Sequence, residues 1–215
     1  MSLSSSRVVS VLLSAILSLM SASASGQSLD QAGMEAKMDS YFDGERGLGL
    51  AGMIAGGASI GGAAVLYFQD DEILEGAAYP LAGFGLLELA AGSVIFFRTP
   101  GQVSDLRSEL KQNPETFRKD ELKRMQAVNS QFDVLTIVWI VGIAAGLGTA
   151  TYGFLDDSDR AKGIGAGVAF ESAILLTGDL IAAGNARDYT DALERFNPGA
   201  SGSSSSTLIH VGGTF

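Results

Sequence analysis

Residues 47–68, GLGLAGMIAGGASIGGAAVLYF, and residues 134–155, VLTIVWIVGIAAGLGTATYGFL, decide the fold. Each run is 22 residues long and contains no charged side chain. An α-helix of this length measures about 33 Å, which matches the hydrocarbon core of a bilayer. A soluble pair of buried helical hairpins is disfavoured, because neither run has a polar face. Both runs are therefore predicted to span a membrane.

Two further apolar segments complete a set of four. Residues 73–97 and 163–184 are each long enough to cross a bilayer, although both contain acidic side chains. We therefore predict an all-α integral membrane protein with the lipid bilayer as its surroundings. Its four transmembrane helices are expected to form two tandem helical hairpins, at 47–97 and 134–186.

The composition excludes several classes of site. The 215 residues include no cysteine and one histidine, and the net charge is −10. A disulfide scaffold, a thiol redox centre and any site that needs two histidines are excluded. The acidic balance argues against a nucleic-acid partner. The chain has no phosphate-binding loop and no credible catalytic triad, so we predict neither an enzyme nor a bound cofactor or metal.

The N-terminus has the pattern of a secretory signal peptide. Arg7 precedes an apolar stretch of 13 residues, 8–20, which is too short to span a bilayer. Small residues at 22–24 provide a cleavage site. We predict a cleaved signal peptide at 1–24, and the alternative is an uncleaved anchor helix. Residues 25–46 are then a polar juxtamembrane segment with a short interfacial helix before the membrane.

The long polar stretch 98–133 is predicted to form an extramembrane amphipathic helical hairpin. A turn at 99–101 precedes a helix over 102–112, and Asn113-Pro114 begins a second helix that continues into the third span. Apolar side chains recur every three or four residues along both helices: Val103, Leu106, Leu110, Phe117, Leu122, Met125, Val128 and Phe132. Such a stripe must be covered by the mating helix or by a partner.

The sequence also contains a candidate internal repeat. A shift of 86 residues aligns Gly56 with Gly142, and it aligns the Asp-Asp pair at 70–71 with the pair at 156–157. We interpret the chain as two copies of one unit that have the same orientation. Such copies are related by a pseudo-two-fold axis along the membrane normal. The alternative is coincidence between segments that are rich in Gly and Ala.

The end of the chain, residues 187–215, is predicted to comprise an amphipathic end and a flexible Gly/Ser tail. Residues 197–206 have the composition of a flexible linker, and residues 207–215 form a short β-like run that ends in Phe215. A terminal Phe is also found in outer-membrane barrels, but no other segment alternates like a barrel strand. The preferred interpretation is an edge-adding or disordered tail.

Two signals disagree about the side of the membrane on which residues 98–133 lie. The segments on that side carry 11 Lys and Arg residues and the opposite turns carry two, which favours the cytoplasm. A cleaved signal peptide instead leaves residues 98–133 outside. We give the signal peptide more weight, since it is the more specific pattern. The prediction is a bacterial cell-envelope protein in the inner membrane with this hairpin in the periplasm; the alternative is the outer membrane.

Three acidic side chains, Glu88, Glu171 and Asp179, lie in the interior of the predicted spans, and Glu75 lies near the start of the second span. A charge at the bilayer centre costs about 2.5–3.5 kcal/mol or more, and the spans contain no Lys or Arg that could pair with it. These carboxyls are expected to be protonated or to face a hydrated cavity. They form either a proton or cation path, or neutral hydrogen bonds between helices.

Glycines recur at intervals of four residues in the first and third spans. Small residues at this spacing let helix backbones approach closely. The predicted helix-packing residues are Gly52, Gly56, Gly57, Gly61, Gly142 and Gly146. Because the first span has small residues on more than one face, we expect a homo-oligomer or a larger envelope complex.

These patterns predict a non-enzymatic envelope membrane protein that acts as a structural, scaffold or assembly subunit. The alternative function is that of a small channel or transporter subunit, in which the three intramembrane carboxyls form a proton or cation path.

Overall fold

The computed structural model describes residues 28–199, which form four long α-helices. These are α1 (Gln31–Tyr67), α2 (Glu72–Gln112), α3 (Pro114–Leu155) and α4 (Asp159–Arg195). Each helix is long and apolar enough to cross a membrane. The prediction of an all-α protein with four such helices is confirmed. The predicted signal peptide and the tail beyond Gly199 lie outside the described residues.

Short turns with local capping groups join the helices. The Asp71 carboxylate accepts hydrogen bonds from the backbone N–H groups of Ile73 and Leu74 and so caps the start of α2. Ser158 caps α4 in the same way, through the N–H of Ala161. Between α2 and α3 the only residue outside a helix is Asn113, directly before Pro114, as the sequence predicted. Such caps stop one helix and start the next without a long loop.

The four helices form an up-and-down bundle. α1 packs along α2, α3 packs along α4, and α2 also contacts α4. The turns at 68–71 and 156–158 lie at one end of the bundle. The other end holds the start of α1, the α2–α3 junction and the end of α4, where Leu29 and Phe196 form a parallel β-bridge.

The bundle has two different halves along its length. Residues 28–46, 98–133 and 185–199, which we call the head, contain a closed apolar core. The core side chains come from all four helices: Met34, Met38, Tyr41, Phe42, Leu110, Phe117, Met125, Ala186, Tyr189, Ala192, Leu193 and Phe196. Residues 47–97 and 134–184, the apolar half, instead expose large apolar side chains on their outer surface.

The amphipathic stripe of residues 98–133 is covered by the protein's own chain. Leu110, Phe117 and Met125 are fully buried, and Val103, Leu106, Leu122, Val128 and Phe132 pack against the same core. The covering side chains come from the start of α1 and the end of α4. The predicted projecting hairpin is therefore one half of a four-helix head, and its stripe leaves no apolar face for a partner.

Three boundaries differ from the sequence-based prediction. α1 runs from Gln31 without a break across the expected boundary at 46–47, so most of the polar segment belongs to the same helix as residues 47–67. α4 likewise continues to Arg195, through the expected boundary at 186–187. The predicted turn at 99–101 is wrong, because α2 is helical throughout.

The surroundings of Pro100 explain why α2 does not end there. A proline inside a helix removes one backbone hydrogen bond, and packing on both sides of it can compensate for this loss. The buried Thr99 hydroxyl donates a hydrogen bond to the Ile95 carbonyl at 2.7 Å. Arg98 forms an ion pair with Glu45 of α1 at 3.3 Å. Contacts with α1 therefore hold α2 in register across the proline.

Candidate functional site

Four of the predicted packing glycines lie inside the hairpins. A Cβ atom added to Gly56 would lie 2.5 Å from the backbone nitrogen of Leu89 in α2. The same atom at Gly146 would lie 2.5 Å from the backbone nitrogen of Ala169 in α4. Gly52 faces α2 and Gly142 faces Ser172 of α4. At Gly56 and Gly146 the paired backbones approach more closely than any larger residue would allow, whereas a Cβ atom at Gly52 would make an ordinary van der Waals contact.

The other two predicted packing glycines, Gly57 and Gly61, lie on the outer surface of α1. Apart from the neighbouring backbone of α1, a Cβ atom at either position would meet no atom of residues 28–199 within 4 Å. In the first predicted span, Gly52 and Gly56 face α2. Gly57 and Gly61 instead lie on a face of α1 that no other described helix covers.

The glycines at the contact between α2 and α4 were not predicted from the sequence. A Cβ atom at Gly163 would collide with the carbonyl of Ile73, and one at Gly167 would lie 2.5 Å from the ring of Pro80. A Cβ atom at Gly76 would collide with the carbonyl of Arg160. The glycines at 163 and 167, four residues apart, were a visible signal for this contact and allow α2 and α4 to meet at the centre of the bundle. Gly165, between them, faces the α3 backbone at Gly146 and Ala150 instead.

Two of the three predicted carboxyls converge on one turn of α1. Glu171 of α4 is 0% exposed and accepts a hydrogen bond from the Ser59 hydroxyl at 2.9 Å. Glu88 of α2 is 6% exposed, and its Cβ lies beside Gly56. Because Gly56 and Ser59 are three residues apart, they lie on the same side of α1. Glu88 and Glu171 therefore reach the same side of α1 from two different helices.

The buried carboxyls are incompletely satisfied. The Oε2 atoms of Glu88 and Glu171 are both buried and have no hydrogen-bond partner among the described residues. A buried polar atom without a partner costs about 1–3 kcal/mol, and more if it is charged. The Ser59 hydroxyl is the one protein group that donates to this pair of carboxyls within residues 28–199. The arrangement therefore lacks a counter-charge.

Asp179 does not belong to this pair, because its carboxylate is hydrogen-bonded to a residue of α3. Its Oδ2 accepts a hydrogen bond from the indole N–H of Trp139 in α3 at 2.5 Å. The Trp139 ring also contacts Phe84 of α2 edge-on, with ring centroids 6.4 Å apart. The structure therefore brings together Glu88 and Glu171, and it places Asp179 against an aromatic residue instead.

The head contains a buried ion pair that sequence analysis missed. Glu121 is 3% exposed and accepts two hydrogen bonds from Arg124, at 2.6 and 2.7 Å. The Arg124 guanidinium lies 5.7 Å from the centre of the Phe42 ring. Glu121 falls four residues after Phe117 and four before Met125, on the apolar stripe of α3. An acidic residue at that spacing was the available signal.

Two stacked tyrosines accompany this ion pair. The rings of Tyr41 and Tyr189 are 4.7 Å apart and nearly parallel, at 7°. Burial raises the pKa of both hydroxyls, and the charges of Glu45 and Glu121 add to this effect. Burial works to lower the pKa of Arg124, but hydrogen bonds from its guanidinium to Glu121 and the charge of that carboxylate raise it overall. The head core therefore holds a fixed charge pair beside two neutral phenols.

Within residues 28–199, no group of three or more His, Asp or Glu side chains is arranged to hold a metal ion. Comparison of the chain with known protein families, curated proteins and solved structures finds no match. The function must therefore be argued from the geometry of the chain itself.

Proposed function

We propose that this chain is a non-enzymatic integral membrane protein of a bacterial cell envelope, in which the apolar half anchors the head and acts as an assembly subunit. The observation that carries this proposal is the contrast between the halves. The head buries its apolar side chains, whereas the apolar half exposes residues such as Ile54, Val65, Leu87, Ile137 and Leu147. A lipid bilayer is the environment that satisfies such a surface.

The contact between α2 and α4 supports two tandem hairpins related by internal symmetry. Its close approaches join residues that are 84 to 90 positions apart, such as Gly76 with Arg160 and Ile73 with Gly163. A two-fold axis between copies offset by 86 residues places residue i of α2 beside residue i+86 of α4. The hairpins then have the same orientation in the membrane, with the axis along the membrane normal.

The open glycine face of α1 supports assembly into a homo-oligomer or a larger envelope complex. Gly57 and Gly61 are one turn apart on the outer surface, and small residues at this spacing allow a helix from another chain to approach. The head offers no comparable uncovered apolar stripe. Chain-to-chain contacts in the proposed assembly are therefore formed by the apolar half.

Membrane insertion and orientation can be tested together. The chain has no cysteine, and Ser108 is exposed in the head, so Ser108→Cys is a clean labelling site. Extraction at alkaline pH tests integral insertion, and a membrane-impermeant maleimide tests the side. We propose that the head is periplasmic and held by the inner membrane, as the signal peptide predicts. Labelling in intact cells supports this orientation, and labelling only after lysis places the head in the cytoplasm.

The assembly proposal is tested by Gly57→Leu with Gly83→Leu as a matched control. Both glycines have open space around an added Cβ, but Gly83 lies on α2, away from the open face of α1. We expect Gly57→Leu to shift the protein to a smaller species in light scattering, and Gly83→Leu to leave it unchanged. Equal behaviour of wild type and both variants would remove the support for this interface.

A second candidate is a small transport subunit that uses the carboxyls of Glu88 and Glu171. The observation that favours it is their joint burial at mid-depth in the apolar half without a counter-charge. Intramembrane acids of this kind mark ion pathways in many transporters. Loss of an ion-dependent phenotype in Glu88→Gln and Glu171→Gln, with assembly intact, would favour this function over the scaffold.

A further inference from the structure

We propose that Glu88, Glu171 and Ser59 form an occluded binding site for one small monovalent cation, either a proton or a sodium ion. The inference rests on the proposal that the apolar half spans a membrane. It goes beyond a path of three carboxyls, because it assigns binding to one buried cluster and excludes Asp179. Three helices contribute to the site: α1 gives the hydroxyl, α2 and α4 give the carboxyls.

Buried carboxyl oxygen atoms of Glu88 and Glu171 lack hydrogen-bond partners among the described residues. Both side chains are more than nine-tenths buried, and one oxygen atom of each has no partner. A buried carboxyl oxygen atom without a hydrogen-bond partner destabilises the folded protein, unless a cation neutralises and coordinates it. The two side chains reach the same side of α1 from α2 and α4, and we place the single ion between their carboxyls.

The described residues of the apolar half provide no basic side chain that pairs with Glu88 or Glu171. Within residues 47–97 and 134–184, the described basic side chains are Arg160 and Lys162, at the turn end of α4. Arg160 is paired with Glu75 at 3.1 Å, and Lys162 is paired with Asp159 at 2.7 Å. Neither cation contacts the buried pair. No basic side chain of these segments neutralises the two carboxyls, so a bound proton or sodium ion would lower their combined charge.

The number of oxygen atoms in the cluster limits which cation it can bind. Two carboxyls and one hydroxyl offer too few oxygen atoms for calcium, which takes six to eight oxygen ligands. Magnesium usually keeps several water molecules, and the site is closed by packed backbone at Gly56 and Gly85. A proton needs only two oxygen atoms, and a sodium ion carries one charge and would use the carboxyl and hydroxyl oxygen atoms of the cluster together. Both are consistent with the cluster.

The other titratable groups of the same elements do not reach the site. On α2, Glu75 is bound to Tyr79 at 2.8 Å and to Arg160 near the turns. On α4, Asp179 lies two turns beyond Glu171 and accepts the hydrogen bond from Trp139. α1 contributes no acid or base between 47 and 66, and α3 contributes none between 134 and 155 except Tyr152. Binding at the cluster therefore depends on Glu88 and Glu171.

Dicyclohexylcarbodiimide provides a direct test, because it reacts with protonated carboxyls in apolar surroundings. The carboxyl proton moves to a nitrogen of the reagent, and the carboxylate oxygen bonds to its central carbon. Purified full-length protein in lipid nanodiscs is labelled, and the adduct is located by peptide mass spectrometry. We expect one adduct per chain, at Glu88 or Glu171. Glu88→Gln/Glu171→Gln should remove it, and Asp179→Asn, the matched control, should retain it.

Two further arms identify the ion. For a proton site, the labelling rate falls about tenfold for each pH unit above the midpoint, and sodium chloride has no effect beyond that of choline chloride. For a sodium site, sodium chloride protects the carboxyl and choline chloride does not. Ser59→Ala should change the midpoint or the protection, because it removes the one donor to Glu171.

The failure of the inference can be told apart from the failure of membrane insertion. If the protein resists alkaline extraction but neither glutamate is labelled at any pH, the binding site is refuted while the membrane anchor stands. A labelling rate that is independent of both pH and sodium would also overturn the proposal. If alkaline extraction releases the protein, the anchor itself is wrong.

Discussion

The buried ion pair of the head gives the sharpest prediction for stability. Arg124→Met removes both hydrogen bonds to Glu121, at 2.6 and 2.7 Å, and leaves a carboxylate that is 3% exposed without its counter-charge. Removing one partner of a buried pair costs about 3–5 kcal/mol. The Arg124 side chain is 32% exposed, so water already screens part of the interaction and the lower end of that range applies. We expect a loss of about 3 kcal/mol.

Thermal unfolding of the purified protein, followed by circular dichroism, measures this loss. For a domain of this size, about 3 kcal/mol corresponds to a decrease in Tm of about 6–12 °C. Lys123→Met is the matched control, since it makes the same kind of change at an exposed neighbouring position. We expect that variant to change the free energy of unfolding by less than about 0.5 kcal/mol.

A double variant separates the ion pair from its packing. Glu121→Gln/Arg124→Met removes the uncompensated charge, so we expect it to recover most of the stability lost in Arg124→Met. If Arg124→Met behaves like Lys123→Met at neutral pH, the carboxylate does not depend on Arg124 and the reasoning is refuted.

Three further predictions concern other parts of the bundle. Gly56→Leu should destabilise the monomer by about 1–3 kcal/mol or more in thermal unfolding, because the new side chain collides with α2. Trp139→Phe leaves Asp179 without its donor and should cost about 1–3 kcal/mol in the same assay. The raised pKa of Tyr189 makes the folded state retain a proton that the unfolded chain releases. Its stabilising contribution is complete below about pH 10 and is lost as the pH rises further, so Tyr189→Phe should weaken the alkaline loss of stability in urea titrations.

Each of these has an outcome that contradicts it. Equal melting temperatures for Gly56→Leu and for Gly83→Leu, whose position is open, would mean that α1 and α2 do not approach as described. Retention of full stability in Trp139→Phe would show that Asp179 finds another donor. An unchanged alkaline transition in Tyr189→Phe would show that its hydroxyl is not the group that titrates.

The sequence predicted the number and type of helices because the requirement for a span is local. Twenty-two uncharged residues at 134–155 must be buried in something apolar, whatever the rest of the chain does. The start of α3 was equally local, since Asn113-Pro114 can begin a helix without help from other elements. Segment composition and capping therefore predicted most of the fold.

The errors came from features that depend on distant contacts. Whether Pro100 ends a helix depends on the contact of α2 with α1, where Glu45 faces Arg98. The partner of Glu171 is Ser59, 112 positions away, and no local pattern indicates it. Glu88, Glu171 and Asp179 all lie in the interior of the predicted spans. Only the packed bundle shows that Asp179 has a different partner, Trp139.

The bridge between Leu29 and Phe196 brings the two ends of the described chain to one place. The N–H of Leu29 donates a hydrogen bond to the carbonyl of Arg195 at 3.0 Å, and the N–H of Asn197 donates one to the carbonyl of Leu29 at 2.9 Å. Reporter domains fused at either end would therefore share a compartment and lie side by side. The same proximity makes the bundle suited to circular permutation, with new termini opened at the turn 68–71 and the old ones joined by a short linker.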